Sequence, residues 1–139
     1  MKRFAIAKVS KSGKVGKFVL PVLTEHQEAV AFMGWCNLHP IAKNIFATQT
    51  GVRTSIRTAV KAKKEGMKAG IPDYFLDEPR GVWHGLRIEL KRTKGGVLST
   101  DQKLWRDYYN ERNYCWRLCK GADEAIATIK EYLSVGNSA

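Results

Sequence analysis

Cysteine, histidine and acidic residues are all scarce in this 139-residue chain. The three cysteines, Cys36, Cys115 and Cys119, include no CxxC pair, and the three histidines, His26, His39 and His84, stand at no ligand spacing. This argues against a disulfide framework, a zinc site and a histidine-metal nuclease, and the thiols read as buried residues of a reducing compartment. No apolar run approaches the ~18 residues of a membrane span. Phe4–Val9, behind Met1-Lys2-Arg3, is too short and too charged for a secretory signal, so the chain reads as soluble and intracellular. What is abundant is positive charge. There are 24 Lys and Arg against 13 Asp and Glu, a net of +11, while 44% apolar residues and four Trp supply a core for one domain over 1–139.

The charge is unevenly placed. Residues 1–100 hold 18 Lys and Arg against 7 Asp and Glu, whereas residues 101–139 hold six of each. Within the basic part, Lys2 to Lys17 has six cations and no acid, and Arg53 to Lys68 has six opposed only by Glu65. A polyanion is the partner such clusters suit, because each cation placed on a phosphate releases a condensed counterion. A membrane surface would want a broad Trp/Phe/Leu face, which Lys61–Lys68 lacks.

Along the chain, Phe4–Val9 suggests an edge strand and Ser10–Lys17 a loop. Thr24-x-x-Gln27 is a capping box opening a helix that stops before His39-Pro40. Ile41–Thr48 reads as a strand and Thr54–Glu65 as a second helix. Ile71–Leu76 and Leu86–Lys91 form an antiparallel hairpin turned at Glu78-Pro79-Arg80-Gly81. Ser99-x-x-Gln102 caps a third helix whose buried stripe is Leu104, Trp105 and Tyr108. Tyr114–Cys119 is a further strand, and Ala122–Leu133 a closing helix with Ile126, Ile129 and Leu133 inward. The order describes an α/β fold, a mixed β-sheet flanked by helices.

One constellation carries chemistry. Glu89-x-Lys91 on a strand is, taken alone, most often a solvated face. Here Asp73 begins the partner strand of the hairpin, so pairing brings its carboxylate beside that of Glu89. Two adjacent carboxylates repel unless something positive lies between them, and a hard divalent cation with oxygen ligands supplies that charge. Asp73, Glu89 and the Leu90 carbonyl are the candidate ligands, and Lys91, one strand repeat or ~7 Å from Glu89, is placed to serve an attacking water. A cation that screens phosphate oxygens suits phosphodiester hydrolysis, and the sparse ligand set suits Mg²⁺ or Mn²⁺.

Pro72-Asp73 followed by Glu89-Leu90-Lys91 resembles the PD-(D/E)xK nuclease signature. The surroundings resemble its VRR-NUC branch, the virus-type replication-repair nucleases. Those surroundings are Lys68-Ala69-Gly70-Ile71-Pro72-Asp73, Gly85–Lys91, Leu98-Ser99-x-x-Gln102-x-x-Trp105, and Gly121-Ala122-Asp123-Glu124-Ala125 before the last helix. The likeness covers roughly 24–133, leaving a basic segment at 1–20 outside it, and departs at Ala47–Gly51, where many relatives have a Pro-Asn-Gly turn. It implies a restriction-endonuclease-like core in which Asp73 and Glu89 are metal ligands, Lys91 is the catalytic lysine and Gln102 supports the site. Glu25, or Glu28 one turn on, adds a helix acid. It further implies a metal-dependent, structure-selective DNA endonuclease of the stand-alone phage type, cytoplasmic in a bacterial or phage-infected cell. Such a protein resolves four-way (Holliday) junctions as a homodimer. Arg53, Arg57, Lys61, Lys64 and Lys68 are the expected DNA surface. The competing expectation is a non-catalytic DNA-binding module of phage replication or packaging.

Overall fold

The computed structural model describes residues 19–48 and 55–136. Its elements run α1 (Glu25–Cys36), a 3₁₀ turn (Pro40–Lys43), β1 (Ile45–Ala47), α2 (Ile56–Lys64), β2 (Tyr74–Leu76), β3 (Leu86–Lys91), α3 (Thr100–Glu111), β4 (Cys115–Lys120) and α4 (Ala122–Ser134). The strands form one sheet in the order β1-β2-β3-β4. The first three pair antiparallel and β3 pairs parallel with β4, so the sheet is mixed, as the sequence order implies. The predicted Phe4–Val9 strand and the basic segment up to residue 18 lie outside the described residues.

Both expected capping boxes are present, Thr24 with Gln27 and Ser99 with Gln102. Two strands are shorter than their apolar runs. Pro40 opens a 3₁₀ turn where the run from Ile41 reads as strand, since its fixed φ suits a first helical turn. Pro72, with no N–H for a ladder, holds the start of β2 back to Tyr74.

One face of the sheet buries Leu86, Ile88 and Leu90 with Tyr74 and Leu76 under Phe32 and Cys36 of α1 and Ala125, Ile129 and Tyr132 of α4. All three cysteines are buried and unbonded to one another, and burial pushes the Cys36 and Cys119 thiols up to about 11, so they are inert at neutral pH. The opposite face meets α3, and it differs from expectation. Leu104 and Tyr108 are exposed, at 63% and 44%. The inward stripe is Gln102, Trp105, Arg106 and Tyr109, offset by one position because the sheet surface it covers is itself polar and aromatic. There Arg87 is enclosed by Phe75, Tyr114 and Tyr109, 4.0, 4.4 and 5.3 Å from its guanidinium carbon to the ring centroids.

Candidate active site

The β2–β3 register pairs Tyr74 with Ile88 and Phe75 with Arg87. Continuing it by one residue sets Asp73 opposite Glu89, and directly opposed residues share a face. The Asp73 side chain takes the next rung of the ladder: its Oδ2 accepts the Leu90 N–H at 2.8 Å. Its backbone is held from the other side by Thr48, whose N–H donates to Asp73 O at 2.9 Å and whose hydroxyl donates to Pro72 O. Thr48 carries no sequence signal for this role. The residues following it, 49–54, lie outside the described residues, so the departure at Ala47–Gly51 is described only as far as Thr48.

Glu89 is 1% exposed. Its Oε1 accepts from Gln102 Nε2 and lies 3.1 Å from Lys91 Nζ. Gln102 thus has two functions at once, since its Oε1 accepts the Ser99 N–H at 2.8 Å to close the capping box. Glu89 Oε2 is buried and takes no hydrogen bond from any donor among the described residues, while the Glu89 carboxyl lies within hydrogen-bonding reach of the Asp73 carboxyl. Four buried side-chain polar atoms among the described residues lack a hydrogen-bond partner in this way, and the other three, Arg80 Nε, Arg87 Nε and Trp116 Nε1, are donors. Burial lifts the Asp73 carboxyl above the ordinary range despite the Leu90 N–H. Burial, then the Asp73 charge, push Glu89 up to about 7 against the pull of Lys91.

The two candidate acids of α1 separate cleanly. Glu25 is exposed, and its negative charge raises both Asp73 and Glu89, so it lies on the site side. Glu28 is fully buried, and its Oε2 accepts the Ala122 N–H at 2.7 Å, which caps α4 where Gly121 offers no side chain. Among the described residues, no three of His, Cys, Asp and Glu gather to hold a metal ion by themselves. Lys91 is 14% exposed, and its stem lies against Gly96, where an added Cβ would stand 2.6 Å from Lys91 Cβ.

Arg57, Lys61, Lys64 and Lys68 are all exposed on α2 and just beyond it, while Arg53 lies outside the described residues. α2 buries no residue. His26 and His84 are exposed, and His39 stacks on Trp35 at 3.9 Å, far along the chain from either acid. No described helix is long and apolar enough to cross a membrane.

No protein-family model matches the chain, and no curated protein does. A solved structure described as "VRR_NUC domain protein" is similar to it over 85% of this chain and 94% of that one, with a TM-score of 0.74 and 31% identity.

Proposed function

Because this chain belongs to the VRR-NUC domain family, we propose that it is a Mg²⁺- or Mn²⁺-dependent endonuclease that hydrolyses phosphodiester bonds of branched DNA, four-way junctions among them, as a homodimer. The observation that carries this reading is Glu89 Oε2, a buried carboxylate oxygen that no donor of the described residues reaches, opposite a second acid and beside a lysine. Burying one anion next to another is costly unless a cation joins them. A surface that only bound DNA would have no use for the arrangement.

The residues fit a hard cation. Asp73, Glu89 and the Leu90 carbonyl would hold it. The Leu90 N–H is taken by Asp73, and its carbonyl, on the same edge of β3, faces Pro72, which has no N–H to offer. Two carboxylates and a carbonyl leave room for solvent and substrate oxygens, the habit of Mg²⁺. When bound, the cation screens the phosphate oxygens and makes a nearby water more acidic.

The chain's own groups do the rest. Gln102 fixes the rotation of the Glu89 carboxylate by tying it to the first turn of α3. Lys91, held at the rim by Glu89, donates to the attacking water or to a phosphate oxygen as charge develops there. Glu25 adds a carboxylate at the mouth. Arg57, Lys61, Lys64 and Lys68, with Arg53, meet the sugar-phosphate backbone, and contacts of that kind select shape rather than sequence. One centre cuts one strand, so paired cuts across a two-fold junction require two copies.

The test is purified protein with branched and linear DNA, with and without Mg²⁺, and sedimentation for the dimer. Cutting of branched DNA that stops in EDTA is expected. Cutting that survives EDTA refutes the metal site, and equal cutting of linear DNA refutes shape selection. A monomer refutes the assembly, and salt-dependent binding without cutting any substrate supports the binding-module reading instead.

A further inference from the structure

The segment that delivers Asp73 is gripped by α3 at two successive residues. The Trp105 indole N–H donates to Ala69 O at 2.9 Å. At the next residue, Gly70 has φ +75, and a Cβ built there would stand 2.6 Å from Asp101 C and Cβ and 2.7 Å from Gln102 N. The backbone at 70 therefore rests directly on the first turn of α3, with no room for a side chain. Gln102, in that same turn, holds Glu89. The Trp105 ring is fixed in its turn, stacked on Tyr109 at 5.7 Å and edge-on to Tyr108 at 5.2 Å.

One short helix thus bears on both acids, on Glu89 through Gln102 and on the strand of Asp73 through Trp105 and Gly70. Resting on the two-carboxylate reading above, we infer that Trp105 is a positioning residue that sets the gap between Asp73 and Glu89. Its neighbours Leu104 and Tyr108 are exposed, and among the described residues the hydrogen bond from α3 to this segment is the one from the Trp105 N–H. Without it the Ala69–Asp73 segment keeps Gly70 on this flank, Thr48 on the other, the buried Pro72 and the Leu90 N–H on the Asp73 carboxylate. The segment ahead of Asp73 then shifts against α3, and the gap between the two carboxylates is no longer held at the width a small cation bridges.

The experiment measures Mn²⁺ binding to the DNA-free protein by electron paramagnetic resonance, with melting in EDTA alongside. Trp105→Phe keeps a ring on Tyr109 and removes the donor. The expected result is Mn²⁺ affinity about tenfold weaker, with kcat lowered and KM for DNA unchanged, a split that a merely loosened fold would not give. Substitution of Trp105 by benzothienylalanine, the same bicyclic shape without the N–H, should reproduce the loss and covers the case in which Trp105→Phe fails to fold. Wild-type Mn²⁺ affinity in the benzothienyl variant overturns the positioning role while leaving the metal site standing. A wild-type protein that binds no Mn²⁺ overturns the two-carboxylate reading and this inference with it.

Discussion

Arg87 and Glu89 stand two residues apart on the same face of β3, both almost fully buried, yet the protein provides for the two charges differently. Arg87 is surrounded. Three aromatic faces meet its guanidinium, Asp77 lies 3.1 Å away, and the Leu86 carbonyl accepts from Nη1 at 3.2 Å. Its Nε lacks an acceptor, but the charge itself is compensated. Glu89 is provided for on one oxygen only, and the nearest strand presents a second acid rather than a base. Buried charge that is compensated ties α3 to the sheet, whereas the half-compensated carboxylate is the position at which we propose the cation binds.

Substitutions around the two charges should separate these roles most sharply in turnover. Removing the lysine in Lys91→Ala, or the ligand charge in Asp73→Asn, is expected to lower kcat about 10³-fold, or ~4 kcal/mol of transition-state stabilisation. Arg87→Met, two residues from Glu89, should leave turnover per folded molecule within about twofold, the scale of ordinary changes away from reacting atoms. Single-turnover cleavage of a junction measures both. A comparable loss in Arg87→Met would make the cation box part of the chemistry and dissolve the distinction.

The next effect is on stability, and it has opposite signs at the two positions. Glu89→Gln keeps an oxygen for Gln102 and Lys91 and replaces the orphaned oxygen with a donor facing Asp73. The metal-free protein should gain ~1–3 kcal/mol at pH 8 from loss of a poorly solvated charge. Arg87→Met should lose ~1–2 kcal/mol, chiefly the ring contacts. The gain depends on pH in a defined sense. Glu89 protonates at about 7 in the fold against an ordinary value of 4.5. Between those values the fold holds a proton that the unfolded chain has lost. Stability from the neutral carboxyl is thus complete below pH 4.5 and is lost as pH rises through about 7. Wild type in EDTA should therefore lose several degrees of Tm between pH 5 and pH 8 beyond the change in Glu89→Gln, and Mg²⁺ should close the gap. Parallel pH profiles for the two proteins would remove Glu89 as the cause.

Much of this face was legible beforehand. The two capping boxes, the limits of β3 and the meeting of Asp73 with Glu89 follow from local chemistry: hydroxyl and amide spacing, period-two alternation and a hairpin turn. The inward stripe of α3 followed only at Trp105. A hydrophobic pattern picks Leu104, Trp105 and Tyr108, but the surface awaiting α3 carries Arg87 and Glu89, so Gln102 and Tyr109 turn in beside Trp105 while Leu104 and Tyr108 stay out. Nor does position alone distinguish Glu25 from Glu28. Glu28 is claimed by the N–H of Ala122, 94 residues away, a demand created by Gly121 and visible only once the two helices meet.

The smallest expected effect tests what compensates Arg87. The Asp77 side chain is 57% exposed, so its 3.1 Å pair with the guanidinium is screened by solvent on one side, and such pairs contribute about 0–1 kcal/mol. The rings of Phe75 and Tyr114 sit closer to the buried part of the cation and exclude water from it. Asp77→Asn keeps an acceptor for Nη1 and removes the charge, so chemical denaturation should register a loss under ~0.5 kcal/mol, with DNA cutting unchanged. Phe75→Leu, which removes a ring, should cost more than that. If Asp77→Asn instead matches Arg87→Met, the ion pair and not the aromatic enclosure compensates the charge. The contrast with Glu89 would then be one between a cation paired with an acid and an acid whose second oxygen is left without a donor.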